Sequence, residues 1–158
     1  MVESVQTGKI CSFFGRRNVG NEKEIYEKLL SVVAEKIEEG FTVFYFGDFG
    51  DFDTLSFEAV KELKKKYDAI KLVICYGDEY TARKRKCYDL EKGYDEALVV
   101  PLRFGWWYTR LYYRNLSMID YSDFCVFYAD PSISDSGASK ALRYAVAQKK
   151  PFINLFGQ

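Results

Sequence analysis

Three short stretches of this chain carry residue types that could hold or transform a charged ligand. The first is GRRN at 15–18, directly after an apolar run. Gly15 allows close backbone approach, and Arg16 or Arg17 can fork onto a phosphate. An ordinary turn with surface arginines would use the same letters. The second is GDFGDFD at 47–53, where Asp48, Asp51 and Asp53 stand beside Gly47 and Gly50. Carboxylates that close repel one another unless something binds them. Mg²⁺ carried by a nucleotide, ribose hydroxyls, or the arginines at 16 and 114 would all do so. Helix capping by Asp53 with the other two solvated is the plainer alternative. Asp48 and Asp51 are the candidate catalytic carboxylates, and the spacing is not that of a calcium loop. The third stretch runs from 114 to 141. Ser136, Gly137, Ala138 and Ser139 form a turn at the start of a helix, where free backbone N–H groups and the helix dipole favour an anion. Arg114 falls on the apolar stripe Trp107, Leu111, Met118, with Asn115 beside it. An inward arginine needs a partner, either a structural carboxylate or a bound phosphate. Lys140 and Arg143 oppose the helix dipole, which a nearby anion would explain.

Composition narrows the chemistry. The chain has no histidine, which removes every Ser-His and Cys-His nucleophile scheme. Any acid or base must be a carboxylate, tyrosine, lysine or cysteine. The four cysteines form no CxxC pair, so neither a zinc site nor another metal site is expected. Cys11, Cys75 and Cys125 lie in strand-like runs and read as reduced core residues. Lys plus Arg equals Asp plus Glu at 23 each, which argues against bulk nucleic-acid binding. The RKRK run at 83–86 reads as a solvated face; with Trp106 and Trp107 it would alternatively make a protein or single-stranded nucleic-acid module. No apolar run approaches the ~20 residues of a membrane span. The N-terminal MVESVQTGK lacks the apolar core of a signal peptide, so a cytoplasmic location is expected. Aromatic residues make up 18% of the chain, enough to fill a core and leave some to stack on a flat ligand.

Strands and helices alternate to position these groups. Apolar runs predict strands at 9–14, 41–46, 70–75, 97–100, 123–128 and 151–155. A first helix follows Asn21, with Glu24 in a capping-box-like position, Ile25, Leu29, Val32 and Ile37 inward, and Gly40 as its stop. Thr54 is expected to cap a second, with Leu55, Ala59, Leu63 and Tyr67 inward. Further helices are expected at 106–119 and 137–148. The segment 76–95 reads as an irregular, partly helical excursion. The whole is expected to be one α/β domain over 1–158, with a mostly parallel sheet of about six strands and helices on both faces. Ligands of such folds sit beyond the carboxyl ends of the strands, at a switch in strand order.

In order and spacing, these motifs resemble the SLOG superfamily, the Rossmann-like group of the Lonely Guy phosphoribohydrolases and DNA-processing protein A, and within it the small bacterial members. The matching pieces are SFFGRR at 12–17, GDFGDFD at 47–53, YRNLSMIDYSDF at 113–124 and SGASKALRYA at 136–145. The resemblance implies a Rossmann-like fold and a nucleotide pocket. In the Lonely Guy enzymes an Arg-Lys pair and a glycine-rich turn followed by a catalytic glutamate cleave the base–ribose bond of a nucleoside 5′-monophosphate. Here Arg114 matches the arginine, Asn115 replaces the lysine, and Lys140, Ala141, Leu142 and Arg143 follow the turn with no glutamate. The expectation is therefore binding of a nucleotide or nucleotide-derived signal rather than catalysis. Ser136–Ser139 and Arg114 would hold phosphate, Gly15 and Arg16 would line the opposite wall, and Asp48 or Asp51 would take sugar hydroxyls. An N-glycosidase or transferase using an aspartate of 47–53 is the alternative. A homodimer is compatible with this fold class by analogy only.

Overall fold

The computed structural model describes residues 8–47, 50–100 and 110–158, and in them six strands alternate with five helices. The order is β1 (Lys9–Gly15), α1 (Glu22–Glu38), β2 (Phe41–Phe46), α2 (Asp51–Lys64), β3 (Lys71–Tyr76) and α3 (Glu79–Lys92). It continues with β4 (Glu96–Val99), α4 (Arg110–Tyr121), β5 (Phe124–Tyr128), α5 (Gly137–Ala147) and β6 (Phe152–Asn154). All neighbours pair in parallel, in the order β4-β3-β2-β1-β5-β6. This is a Rossmann-like α/β sheet.

The continuous apolar runs form central strands because both of their faces are covered. Alternate residues feed two cores. Phe13, Phe44, Phe46, Leu72 and Ile74 pack with Ile25, Leu29 and Val33 of α1, Phe57 and Val60 of α2, and Ala82 of α3. Their neighbours Ile10, Phe14, Val43, Tyr45 and Val73 pack with Met118 and Ile119 of α4 and Ala141 and Ala145 of α5. Cys11, Cys75 and Cys125 are buried in this sheet, and burial pushes the Cys75 and Cys125 thiols up to about 12. Cys87 is exposed. Among the described residues no helix is long and apolar enough to cross a membrane.

Two elements differ from the sequence expectation. The segment after β3 is more regular than the partly helical excursion expected: residues 79–92 form the helix α3. Asp78 caps it by accepting from the Thr81 N–H at 2.7 Å, and Gly93, at φ 136°, ends it. It buries only Ala82 and Asp89, so its sequence shows almost no apolar periodicity. Asp89 accepts from the Tyr76 hydroxyl at 2.5 Å and is approached by Arg85 at 3.5 Å. The rest of the basic run, Arg83, Lys84 and Lys86, faces solvent. The second difference is α2, which begins at Asp51 rather than behind Thr54. Gly50 precedes it at φ 108°, and Asp51 and Asp53 occupy its first turn, where the helix dipole favours carboxylates. Asn21 stands before α1 but supplies no side-chain cap; its amide donates to Glu24 Oε1 at 2.8 Å. The Trp106 start expected for the fourth helix lies outside the described residues.

The chain steps outward from β1 to β4 and then returns to the other side of β1 as β5. That reversal opens a crevice beyond the carboxyl ends of β1 and β5.

Candidate functional site

A cleft of about 400 Å³ occupies this crevice. One wall comes from the end of β1 and the following loop, Phe13 to Asn18, with Asp53 of α2. The other comes from Leu111, Tyr112, Arg114 and Asn115 of α4 and from Ile133, Ser136, Gly137, Ala138 and Lys140 around the start of α5.

Most of the anticipated residues of the first wall serve packing. A Cβ on Gly15 would lie 2.2 Å from Cγ of Phe52, so this glycine, which also lines the cleft, admits the Phe52 ring. Phe52 is fully buried and stacks on Tyr128 with ring centroids 5.8 Å apart. The Arg16 N–H donates to the Tyr128 carbonyl at 3.1 Å, and its guanidinium lies 5.9 Å from the centroid of the Phe156 ring. The loop that follows is tied to α2. The Asp51 N–H donates to the Arg17 carbonyl at 2.8 Å, and Asp51 Oδ2 accepts from the Val19 N–H at 3.0 Å. Gly50 makes this approach feasible, since a Cβ there would sit 2.6 Å from Arg17 Cα. Asp51 and Gly50 therefore brace the loop and do not line the cleft. Asp48 lies outside the described residues. Asp53, read from sequence as the plain capping residue, is among the described residues the aspartate that lines the cleft, and it is 7% exposed.

The second wall holds the buried cation. Arg114 is 7% exposed, and its Nε and Nη2 donate to Asn115 Oδ1 at 3.3 and 2.9 Å. Asn115 thus orients the guanidinium within its own helix. A Cβ on Gly47 would lie 2.4 Å from Arg114 Nη2, so Gly47 is the flat floor on which the guanidinium rests at the end of β2. The guanidinium also draws on the Cys75 thiol, against the larger effect of burial.

At α5, Ser136 is the N-cap: its Oγ accepts from the Ser139 N–H at 3.1 Å and donates to the Ile133 carbonyl at 3.3 Å. The Ser139 hydroxyl is buried and donates to the Asp130 carbonyl at 3.0 Å, bracing the loop instead of lining the cleft. Ser132 fixes the other end of that loop by donating from both its N–H and its hydroxyl to Asp130 Oδ1. Those bonds, with Arg16 nearby, hold the Asp130 carboxyl below its ordinary range. The N–H groups of Gly137 and Ala138 have no acceptor within their helix and stand at the cleft. A Cβ on Gly137 would meet nothing within 4 Å.

The described lining sets Arg16, Arg17, Arg114 and Lys140 against one carboxylate, Asp53. In a chain of zero net charge, positive potential is gathered here. Leu111, Tyr112 and Ile133 line the cleft while 45%, 37% and 36% exposed, which makes part of its wall apolar. The sequence reading placed Leu111 on the inward stripe of its helix, whereas it is exposed at the cleft, and it singled out neither Tyr112 nor Ile133. Asp53 did carry a signal: with Ser56, Phe57 and Val60 it falls on one helical face, the face that α2 buries. Among the described residues no group of three or more Cys, Asp or Glu side chains is arranged to hold a metal ion. No model of a known protein family matches this chain, and no curated protein matches it in sequence.

Proposed function

We infer that this chain is a cytoplasmic, SLOG-like binding domain for a nucleotide or nucleotide-derived signal. One observation carries the reading: a cleft at the switch point in strand order has four cations to one carboxylate in its described lining. Ligands of open α/β sheets sit at such a switch point. A phosphate at the start of α5 would take the N–H groups of Gly137 and Ala138, with Arg114 beside it and Arg16 on the facing wall. The base would lie against Tyr112, Leu111 or Ile133, whose exposed apolar area a flat ring would cover. Ser136 and Ser139 support this turn from behind as cap and brace.

The test is a thermal-shift screen against mono-, di-, oligo- and cyclic nucleotides, with free base followed by chromatography in the same samples. A ligand bound only by the folded state adds ~2.7 kcal/mol at a hundred times its dissociation constant. A shift without base release is the expected result. A shift with base release would make the domain an N-glycosidase instead. No shift with any nucleotide would remove the reading. Arg114→Ala should weaken binding by ~1.5–3 kcal/mol, the worth of a charged hydrogen bond. A folded Arg114→Ala protein that binds like wild type would show that the phosphate sits elsewhere.

A further inference from the structure

We propose that the outward face of α3 docks a short acidic segment of another protein, one that carries aromatic or apolar side chains among its carboxylates. The face is separate from the cleft, whose described lining includes no residue of α3. α3 packs on β3 and β4 at the edge of the sheet and buries only Ala82 and Asp89. On its far side Tyr80, Lys84 and Tyr88 follow one another at four-residue steps and form a row along the helix. Tyr80 is 61% and Tyr88 62% exposed, more than any other large hydrophobic side chain described. Arg83 and Lys86 flank the row, both exposed and neither in an ion pair among the described residues. Tyrosine and arginine are the residue types that anchor protein contacts, and the cations set the sign of the partner. The tyrosines are ~12 Å apart along the axis, a length that an extended peptide covers in about four residues. Exposed Glu79 and Glu91 close the row at its two ends, where the phosphates of a longer nucleic-acid strand would be repelled. The rings also carry cations of their own helix. Lys84 Nζ lies 5.1 Å from the Tyr80 centroid and the Arg85 guanidinium 5.9 Å from that of Tyr88, which leaves less open ring face for a base to stack on. Zero net charge gives the chain no long-range field to gather a polyanion.

Fluorescence anisotropy on the full chain would compare three labelled probes at low salt: poly-L-glutamate, a random copolymer of glutamate and tyrosine, and oligodeoxythymidylate. The copolymer should bind at least about tenfold tighter than poly-L-glutamate, and both should weaken as salt is raised. Tyr80→Ala with Tyr88→Ala should bring the copolymer down to the level of poly-L-glutamate. Arg83→Glu with Lys86→Glu should release both polymers. All four side chains are exposed, so both variants should keep the wild-type urea midpoint. Equal affinity of wild type for the two polymers, or a tyrosine variant that keeps the full gap, overturns the proposal. So does acidic polymer that stays bound to the Arg83→Glu, Lys86→Glu protein, which would place it at the cleft. Oligonucleotide held more tightly than the copolymer makes this a nucleic-acid surface and overturns the proposal too, as does a protein that binds none of the three. None of these outcomes bears on the nucleotide reading, which the thermal-shift screen tests separately.

Discussion

At and behind the cleft wall formed by the end of β1 and the loop that follows it, Gly15, Gly47 and Gly50 are crowded: an added Cβ would come within 2.2, 2.4 and 2.6 Å of Phe52, Arg114 and Arg17. At the start of α5, a Cβ on Gly137 would meet nothing within 4 Å. Glycine thus serves two ends in one cleft. On the first side the protein fills the missing side chains with its own ring, guanidinium and backbone, and the wall is set before any ligand arrives. On the second the vacancy stays open beside backbone N–H groups, which is where a ligand's oxygens have room. A glycine in a phosphate-like motif is evidence of a ligand only where the protein itself does not use the space.

The most damaging way to break the packed side is to remove the ring that fills it. Phe52→Ala should cost about 3–5 kcal/mol, the usual loss for a fully buried aromatic side chain, read as a drop in urea midpoint. A loss under about 1 kcal/mol would mean that Gly15 and Tyr128 do not depend on that ring. Gly50→Ala comes next. Its φ of 108° strains any other residue, and the clash is with Arg17 backbone, which cannot step aside. About 1–3 kcal/mol of destabilisation is expected from the strain. An unchanged midpoint would show that the two loops are not held as closely as the Asp51 to Arg17 hydrogen bond implies.

The framework of this cleft was legible from sequence, and its fine sorting was not. Apolar runs of strand length, each followed by a turn, led directly to the parallel sheet and to a crevice at its carboxyl edge, and all six strands lie within a residue or two of their expected bounds. The segment of α3 was read as only partly helical because the helix lies over the sheet edge with two buried residues, and a helix that buries so little leaves no periodic trace. The sequence reading put Asp51 ahead of Asp53, because the helical face that Asp53 shares with Ser56, Phe57 and Val60 shows only once the start of α2 is known. What separates them is where α2 starts, and that depends on Gly50 adopting a positive φ, a conformational fact rather than a pattern of letters. That Ser139 serves as a brace of the loop was not legible for a related reason. The cap motif places its N–H on Ser136, but only the path of the loop from 129 to 136 decides that its hydroxyl turns to Asp130.

Gly47→Ala sharpens the contrast, because its clash is with the far end of a side chain that can rotate away. The expected cost in folding is below about 1 kcal/mol, while nucleotide affinity should fall by nearly as much as in Arg114→Ala, since the guanidinium loses its floor. Urea melts and calorimetry on the same protein separate the two effects. Equal losses in both would mean that Arg114 is chiefly a structural residue. Affinity intact with the guanidinium displaced would remove Arg114 from the site.

The smallest effect on folding is expected at Gly137. It is the first residue of α5, and alanine there gains helix propensity of no more than about 1 kcal/mol, so the melting temperature should stay level or rise slightly. No described residue resists the methyl group. Any loss of nucleotide affinity must then come from the ligand itself meeting that methyl. A protein of unchanged stability with affinity reduced about tenfold would put the anion on the N–H groups of Gly137 and Ala138. If Gly137→Ala binds as tightly as wild type while Arg114→Ala does not, the phosphate lies towards α4 and the loop after β1, and the open space at α5 belongs to another part of the ligand.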